Sequence, residues 1–321
     1  MSRNFCTLFD KNYVFQGLAL YHSLERHGHD FNLWILCLDE ATYSLLAKLD
    51  LKKATLVRLG EIENEALLAA KATRSWGEYC WTLASAFTYY LITKYPELAE
   101  MTYLDSDLYF YSSPEPIFQE MGNNSVLIVR HNYSPALKYL EKKAGIYNVS
   151  LVAFKNDRNG LSCLNYWREQ CLDWCYNRHE DGKFGDQKYL DAWPKEFPGV
   201  QVISHPGANV APWNIDQYRI DEQMLINGRP LIFYHFHTLK VTGPSHFQLH
   251  SSFYRLSSKA HQYIYQPYID EIKSLINLIS KTAPEFPIHY QRPENVREKL
   301  RQKAKRLLVN LYFSRQKYED A

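Results

Sequence analysis

Two carboxylates, Asp105 and Asp107, stand one residue apart in the segment MTYLDSDLYFY. Side chains so spaced at a strand end can both turn toward one hard cation, directly or through water. Oxygen ligands of this kind suit Mg²⁺ or Mn²⁺ that also bridges phosphates. The chain holds 15 Asp and this single Asp-x-Asp, where about 0.7 such pairs arise by chance, so the weight lies in context: an apolar run before the pair and aromatic residues after it. A second constellation closes the run LIFYHFHTLK. If that run is a strand, alternation sets His235 and His237 on one face, where either supplies nitrogen to the same metal. Lys240 beyond them suits a phosphate contact as a point charge.

Three further sets of polar residues belong with these. Asp186 and Gln187 lie in the Gly-flanked loop GKFGDQKYL before an expected helix. An Asp there serves as an N-cap, or else acts with the neighbouring amide in hydrogen-bonding sugar hydroxyls. Asn148 leads into the apolar run YNVSLVAF, and Asn209, Trp213 and Asn214 fall in the proline-bracketed segment HPGANVAPWN, a loop able to set an aromatic face beside a bound ring. Cys171 and Cys175 share one helix face. With no CxxC partner they read as reduced core thiols rather than half of a zinc site.

Strands alternating with helices must carry these groups. Phe5–Phe9 is a short apolar run, followed by Val14, Leu18, Tyr21 and Leu24 at helical spacing and a stop at Gly28. Phe31–Leu38, a helix over Ala41–Leu49 and Ala54–Leu59 continue the pattern, which predicts a mostly parallel sheet covered by helices. A helix over Tyr79–Tyr95 precedes the strand that delivers Asp105 and Asp107, and open α/β sheets place ligands at the carboxyl ends of their strands. Further strands are expected at Ser125–Arg130, Tyr147–Phe154, Val200–Ser204 and Leu231–Phe236, with a helix over Leu161–Tyr176. Residues 1–245 read as one α/β domain and residues 246–321 as a helical extension. From Arg292 to Lys317 nine Lys and Arg face two Glu, and Val296, Leu300, Leu307, Leu308 and Leu311 fall on one side of a helix. Such a basic amphipathic element either docks on its own domain or lies on an anionic membrane surface.

The chain has 321 residues, 46% apolar and 22% charged, with a formal charge of +2. That composition suits a folded core and argues against a dedicated nucleic-acid binder. No apolar run reaches the ~18 residues of a membrane span, and MSRNFCTLFD lacks a secretion signal, which predicts the cytoplasm. Aromatic residues reach 15%, including 25 Tyr and 7 Trp, and serve both cores and ring-stacking sites.

Taken in order, TLFDKNY, YLDSDLYF, YNVSLVAF, GDQKYL and PLIFYHFHTLK resemble glycosyltransferases of the GT-A fold, especially those similar to glycosyltransferase family 8, over about residues 4–241. GEYCWTLASAF, HPGANVAPWN and FYHFHTLK look more like a bacterial group of sugar-nucleotide transferases related to that family. The resemblance implies that Asp10, Asn12 and Tyr13 line the pocket for the nucleotide base. It implies that Asp105, Asp107 and His235 bind Mn²⁺ or Mg²⁺ and hold the diphosphate of a nucleotide-sugar, a UDP-sugar above all, with Lys240 near the phosphates. Asp186 and Gln187 would meet the donor sugar, and Asn148 the sugar-site strand. Two departures stand out: Asn148-Val149-Ser150 replaces the usual Asn-x-Gly, and no Pro-Trp follows Lys240.

The expected activity is transfer of a sugar to an acceptor hydroxyl, in bacterial cell-surface glycan synthesis, with retention at the anomeric carbon. Inversion would need a carboxylate base, for which Asp186 and Glu78 are the candidates. A sugar-nucleotide nucleotidyltransferase should carry a Gly-rich, Arg-containing loop after the first strand, which TLFDKNYVFQG lacks. A glycoside hydrolase needs carboxylates about 5–10 Å apart across the scissile bond. A non-catalytic carbohydrate-binding protein needs no ordered set of metal and phosphate ligands.

Overall fold

The structure, a computed structural model, describes residues 2–28 and 30–319. The side chains of residues 310–319, including Leu311, Arg315 and Lys317 of the basic tail, lie outside the described residues. The chain begins as an α/β alternation: β1 (Arg3–Phe9), α1 (Val14–His27), β2 (Phe31–Cys37), α2 (Glu40–Leu49), β3 (Ala54–Arg58). Two helices follow, α3 (Glu65–Thr73) and α4 (Trp76–Lys94), before β4 (Glu100–Leu104) and the short β5 (Leu108–Phe110). Next come α5 (Glu115–Met121), β6 (Val126–Arg130), α6 (Leu140–Ala144), β7 (Tyr147–Lys155), α7 (Arg158–Asp173), α8 (Trp193–Glu196) and β8 (Val200–Val202). Small strands then succeed one another: β9 (Leu225–Ile226), β10 (Arg229–Pro230), β11 (Phe233–His235), β12 (Lys240–Gly243) and β13 (His246–Gln248). The last elements are α9 (Ser258–Ala260), a π turn over His261–Tyr265, α10 (Gln266–Thr282) and α11 (Val296–Glu319).

Seven strands form the main sheet in the order β3-β2-β1-β4-β7-β6-β8. Four of the six ladders are parallel, and β7 runs against both its neighbours. This is the mixed, mostly parallel α/β sheet that the sequence predicts, with helices C-terminal to it. Alternation along each strand splits the core in two. Phe5, Leu33 and Ile35 face α1 and α10, and Cys6, Leu36 and Val152 face α4 and α7. All six cysteines are free thiols, and Cys171 and Cys175 are fully buried.

Local chemistry sets the element ends. α4 starts three residues before the apolar run at Tyr79 because Ser75 and Glu78 form a capping box: Ser75 Oγ accepts from the Glu78 amide, and Glu78 Oε2 accepts from the Ser75 amide at 2.8 Å. At the other end of the chain, β11 is shorter than the expected Leu231–Phe236. The Phe236 amide donates to Asp107 O at 2.9 Å, and Thr238 adopts φ +65°, which turns the chain out of the sheet. Gly207 fixes the entry to β11: its carbonyl accepts from the amides of Ile232 and Phe233, and a Cβ there would stand 2.0 Å from Pro230 O.

Candidate active site

The carboxyl ends of β1 and β4, the amino end of β7 and the far end of β11 meet at one edge of the sheet. Because β7 is antiparallel, the residues that lead into it sit beside those that leave β4. Asp105 follows β4 directly, with its amide donating to Ser150 O at 2.9 Å. A tight turn closed by Leu108 N to Asp105 O then carries Asp107 into β5, which pairs antiparallel with β11 so that His235 lies opposite Leu108.

That pairing gathers three ligand atoms. Asp105, Asp107 and His235 each present one within 4.8 Å of the others. His235 Nε2 lies 3.1 Å from Asp107 Oδ1 and 3.8 Å from Asp105 Oδ2, while Tyr103 OH donates to Asp105 Oδ1 at 3.1 Å. The imidazole is buried and the two carboxylates are half-buried. Burial pushes the Asp105 carboxyl up to about 6, with the neighbouring Asp107 charge adding to the rise and His235 opposing it. Burial also raises Asp107, but the charge and hydrogen bond of His235 outweigh it and leave that carboxyl below its usual range. Burial disfavours charge on His235; the Asp107 charge and hydrogen bond win, and its pKa rises. A proton on this imidazole thus occupies the role that a cation would take.

The residues fit a divalent ion. Two carboxylate oxygens and one imidazole nitrogen converge from three positions, and a set of this composition suits Mn²⁺ or Mg²⁺ better than a thiophilic ion. His237 does not join the cluster. β11 ends at His235, so alternation no longer holds, and the exposed His237 ring stands 5.9 Å from the His235 ring and 5.4 Å from Trp213. This corrects the expectation that both imidazoles share one face.

Beside the carboxylates lies a polar pocket. Asn148 Nδ2 reaches Gln187 Oε1 and His131 Nε2, each at 3.3 Å, and Gln187 Nε2 donates to Ala144 O at 2.6 Å. Asn209, held at φ +56°, accepts from Ser150 Oγ at 3.0 Å and donates to Arg130 O at 2.9 Å. Trp213 Nε1 and Asn214 Nδ2 both donate to His131 O at 2.8 Å, so their polar atoms are spent on the scaffold. Asp186 is buried. Burial and the Asp105 charge hold its carboxyl well above the usual carboxylate range, which favours the neutral form that can donate. Burial, with the His235 charge behind it, pushes His131 down to about 3, so that ring is neutral, and its buried Nδ1 has no partner among the described residues.

Asp10 anchors the other wall. Its carboxylate accepts from the Asn12 amide at 2.8 Å, from Asn12 Nδ2 at 2.8 Å and from Trp76 Nε1 at 3.0 Å. Tyr13 and Trp76 are each 42% exposed, unusual for rings of this size, and stand where a flat base could be covered. Burial pushes the Tyr13 phenol up to about 12, and the charges of Asp107 and Asp10 add to the rise. Lys240 points elsewhere: its ammonium donates to Arg292 O at 3.1 Å. Glu78, a candidate base, is committed to its cap and to the Asn177 amide at 2.7 Å. Trp76 and His131 were not singled out from the sequence. The Ser75-x-x-Glu78 box was legible there and would have set Trp76 at the start of α4, but nothing local marks His131.

No protein-family model matches the chain. It is 36% identical over 297 residues to the uncharacterized protein YfnF of Bacillus subtilis, covering 89% of the chain and 97% of YfnF. It is 34% identical over 289 residues to the uncharacterized protein YfnD of the same organism, covering 88% of the chain and 93% of YfnD. Among solved structures, the chain resembles the galactosyltransferase LgtC in complex with donor and acceptor sugar analogs, with a TM-score of 0.50, 15% identity, and 84% of this chain and 95% of that one covered. It also resembles the glycosyltransferase GlyE of Streptococcus pneumoniae, with a TM-score of 0.53, 14% identity, and 92% of this chain and 66% of that one covered. The architecture is thus the GT-A fold.

Proposed function

Starting from the fact that the chain belongs to the family of YfnF and YfnD of Bacillus subtilis, we propose that it is a metal-dependent glycosyltransferase moving a sugar from a nucleoside-diphosphate donor to an acceptor hydroxyl. One observation carries the reading: Asp105, Asp107 and His235 converge at the carboxyl edge of a GT-A sheet, beside a polar pocket and a pair of exposed rings. We assign residues 1–245 to the transferase unit and 246–321 to a helical extension. After β1 the chain enters α1 through Asp10–Tyr13 with no Gly-rich nucleotidyltransferase loop.

Asp105, Asp107 and His235 would hold Mn²⁺ or Mg²⁺. That cation supplies Lewis-acid stabilisation of the departing nucleoside diphosphate. Tyr13 and Trp76, tied through Asp10 and Asn12, cover the base, uracil in our reading. Gln187 and Asn148 orient the donor sugar, and the neutral Asp186 donates a hydrogen bond to one of its hydroxyls. Lys240 would have to leave Arg292 O to meet a phosphate. Glu78 is committed to its cap and to the Asn177 amide, and in our reading the leaving phosphate itself deprotonates the acceptor, with retention at the anomeric carbon. The acceptor class we propose is a bacterial cell-surface glycan, and the setting the cytoplasm, peripheral to the inner face of the membrane.

The test is thermal unfolding with UDP-sugars, with and without Mn²⁺. Donor at about a hundred times its Kd should stabilise the protein by about 2.7 kcal/mol. That shift should require Mn²⁺ and vanish in Asp105→Ala and in Asp107→Ala. A shift equal in wild type and both variants would overturn the metal site.

A further inference from the structure

α11 is mounted with its apolar side outward. Val296, Leu300 and Leu307 recur at spacings of four and seven, on one stripe within roughly 40° of one another at 3.6 residues per turn. Their exposures are 74%, 63% and 55%, and Leu308, one residue round the helix, reaches 68%. The side turned to the protein carries the half-buried Gln302, Arg306 and Val309 and no leucine: Arg306 donates to Tyr254 O, and the Lys305 ammonium lies 5.2 Å over the Phe253 ring, near the Pro135–Leu137 turn. A helix placed only to close its own domain would bury leucines and expose charge.

The flanks of that outward stripe carry Arg297 and Arg301 on one side and Lys299 on the other, with Lys303 within it, all exposed. The two nearby acids are engaged: Glu294 accepts from Ser251 and Ser252, and Glu298 accepts from the Asn295 amide. An apolar stripe framed by cations, with long stems that let the charges sit at headgroup depth, matches an anionic bilayer. It does not match a second copy of itself, whose cations would face these.

We propose that α11 is the membrane-contacting surface of this protein, laid parallel to an anionic lipid surface with Val296, Leu300 and Leu307 inserted among the acyl chains. The inference names the surface behind the peripheral setting proposed above and is independent of the transfer chemistry.

The experiment is co-sedimentation of the full chain with vesicles of phosphatidylcholine alone and of phosphatidylcholine with phosphatidylglycerol. Binding is expected on the anionic vesicles, weakening with salt and falling about tenfold or more in Leu300→Gln/Leu307→Gln, a pair that keeps helix propensity. Arg297→Gln/Arg301→Gln should lose the anionic preference. Both variants should keep the melting temperature and the Mn²⁺-dependent donor shift, whereas Asp105→Ala should lose that shift and still bind vesicles. Equal binding to neutral vesicles, no binding to either, or unchanged binding by the Gln pair would overturn the proposal. So would a dimer, seen by light scattering without lipid, that the Gln pair dissociates.

Discussion

At the scale of single residues, the site is a set of groups whose charge states are fixed by their neighbours. Asp186 is held above its ordinary 3.8 by burial and by Asp105, so the folded state prefers its proton. The sign follows: this stabilisation is complete below pH 3.8 and drains away as pH rises toward the folded value. In metal-free protein, Asp186→Asn should therefore be more stable than wild type at neutral and alkaline pH and converge with it near pH 4. Urea unfolding across that range reads this, and a difference that does not change with pH would sink the account. Trp76→Ala should weaken donor binding about 5- to 100-fold, the worth of one base stacked on an aromatic ring, with little loss of Mn²⁺ affinity. Calorimetry with UDP and Mn²⁺ separates the two. Asp105 and Asp107 were legible because their spacing is itself the signal. His131 was not, since its neutrality comes from burial and from His235, 104 residues away in sequence.

Among the elements, β11 is the one on which the site depends, because it brings His235 to the carboxylates through a three-residue ladder with β5. Gly207 seats that strand, so Gly207→Ala should cost about 1–3 kcal/mol by forcing a Cβ into Pro230 O, and should weaken Mn²⁺ binding as well. Gly77, in α4 with open space where its Cβ would be, is the control. Gly77→Ala should be neutral or stabilise by up to about 1 kcal/mol and leave Mn²⁺ binding intact, as chemical denaturation and a Mn²⁺ titration will show. The sequence located the long elements well, since α1 carries apolar residues at helical spacing, α4 is apolar over a helix's length, and β2 and β7 are short, nearly continuous apolar runs. It overextended β11, because the turn at Thr238 depends on the Phe236 amide finding Asp107 O across the molecule. Helical spacing in the tail was equally clear, yet spacing tells which residues share a face and not which way the face points.

For the whole molecule, the segment after α10 links the transferase site to the tail. Gln291 hydrogen-bonds through its backbone amide to Val241 O and faces the Tyr13 phenol, Arg292 O receives Lys240, and Glu294 holds Ser251. Deleting residues 296–321 should therefore spare the donor-induced thermal shift. Deleting 290–321 should reduce it, because Gln291 no longer ties to Val241 O and no longer backs the Tyr13 phenol. Loss of the shift in the shorter deletion would place part of the donor site on α11.

The central position of β4 also dictates a timetable. β1, β2 and β3 can pair once the first sixty or so residues exist, but the free edge of β1 waits for β4, and β11 must then close on β5 after more than a hundred further residues. During synthesis the two carboxylates therefore emerge long before the imidazole. A growing chain offers only two of the three proposed ligands, and the full set appears when the ribosome has finished the body of the enzyme, so a cation held by all three would be captured at the last stage of folding.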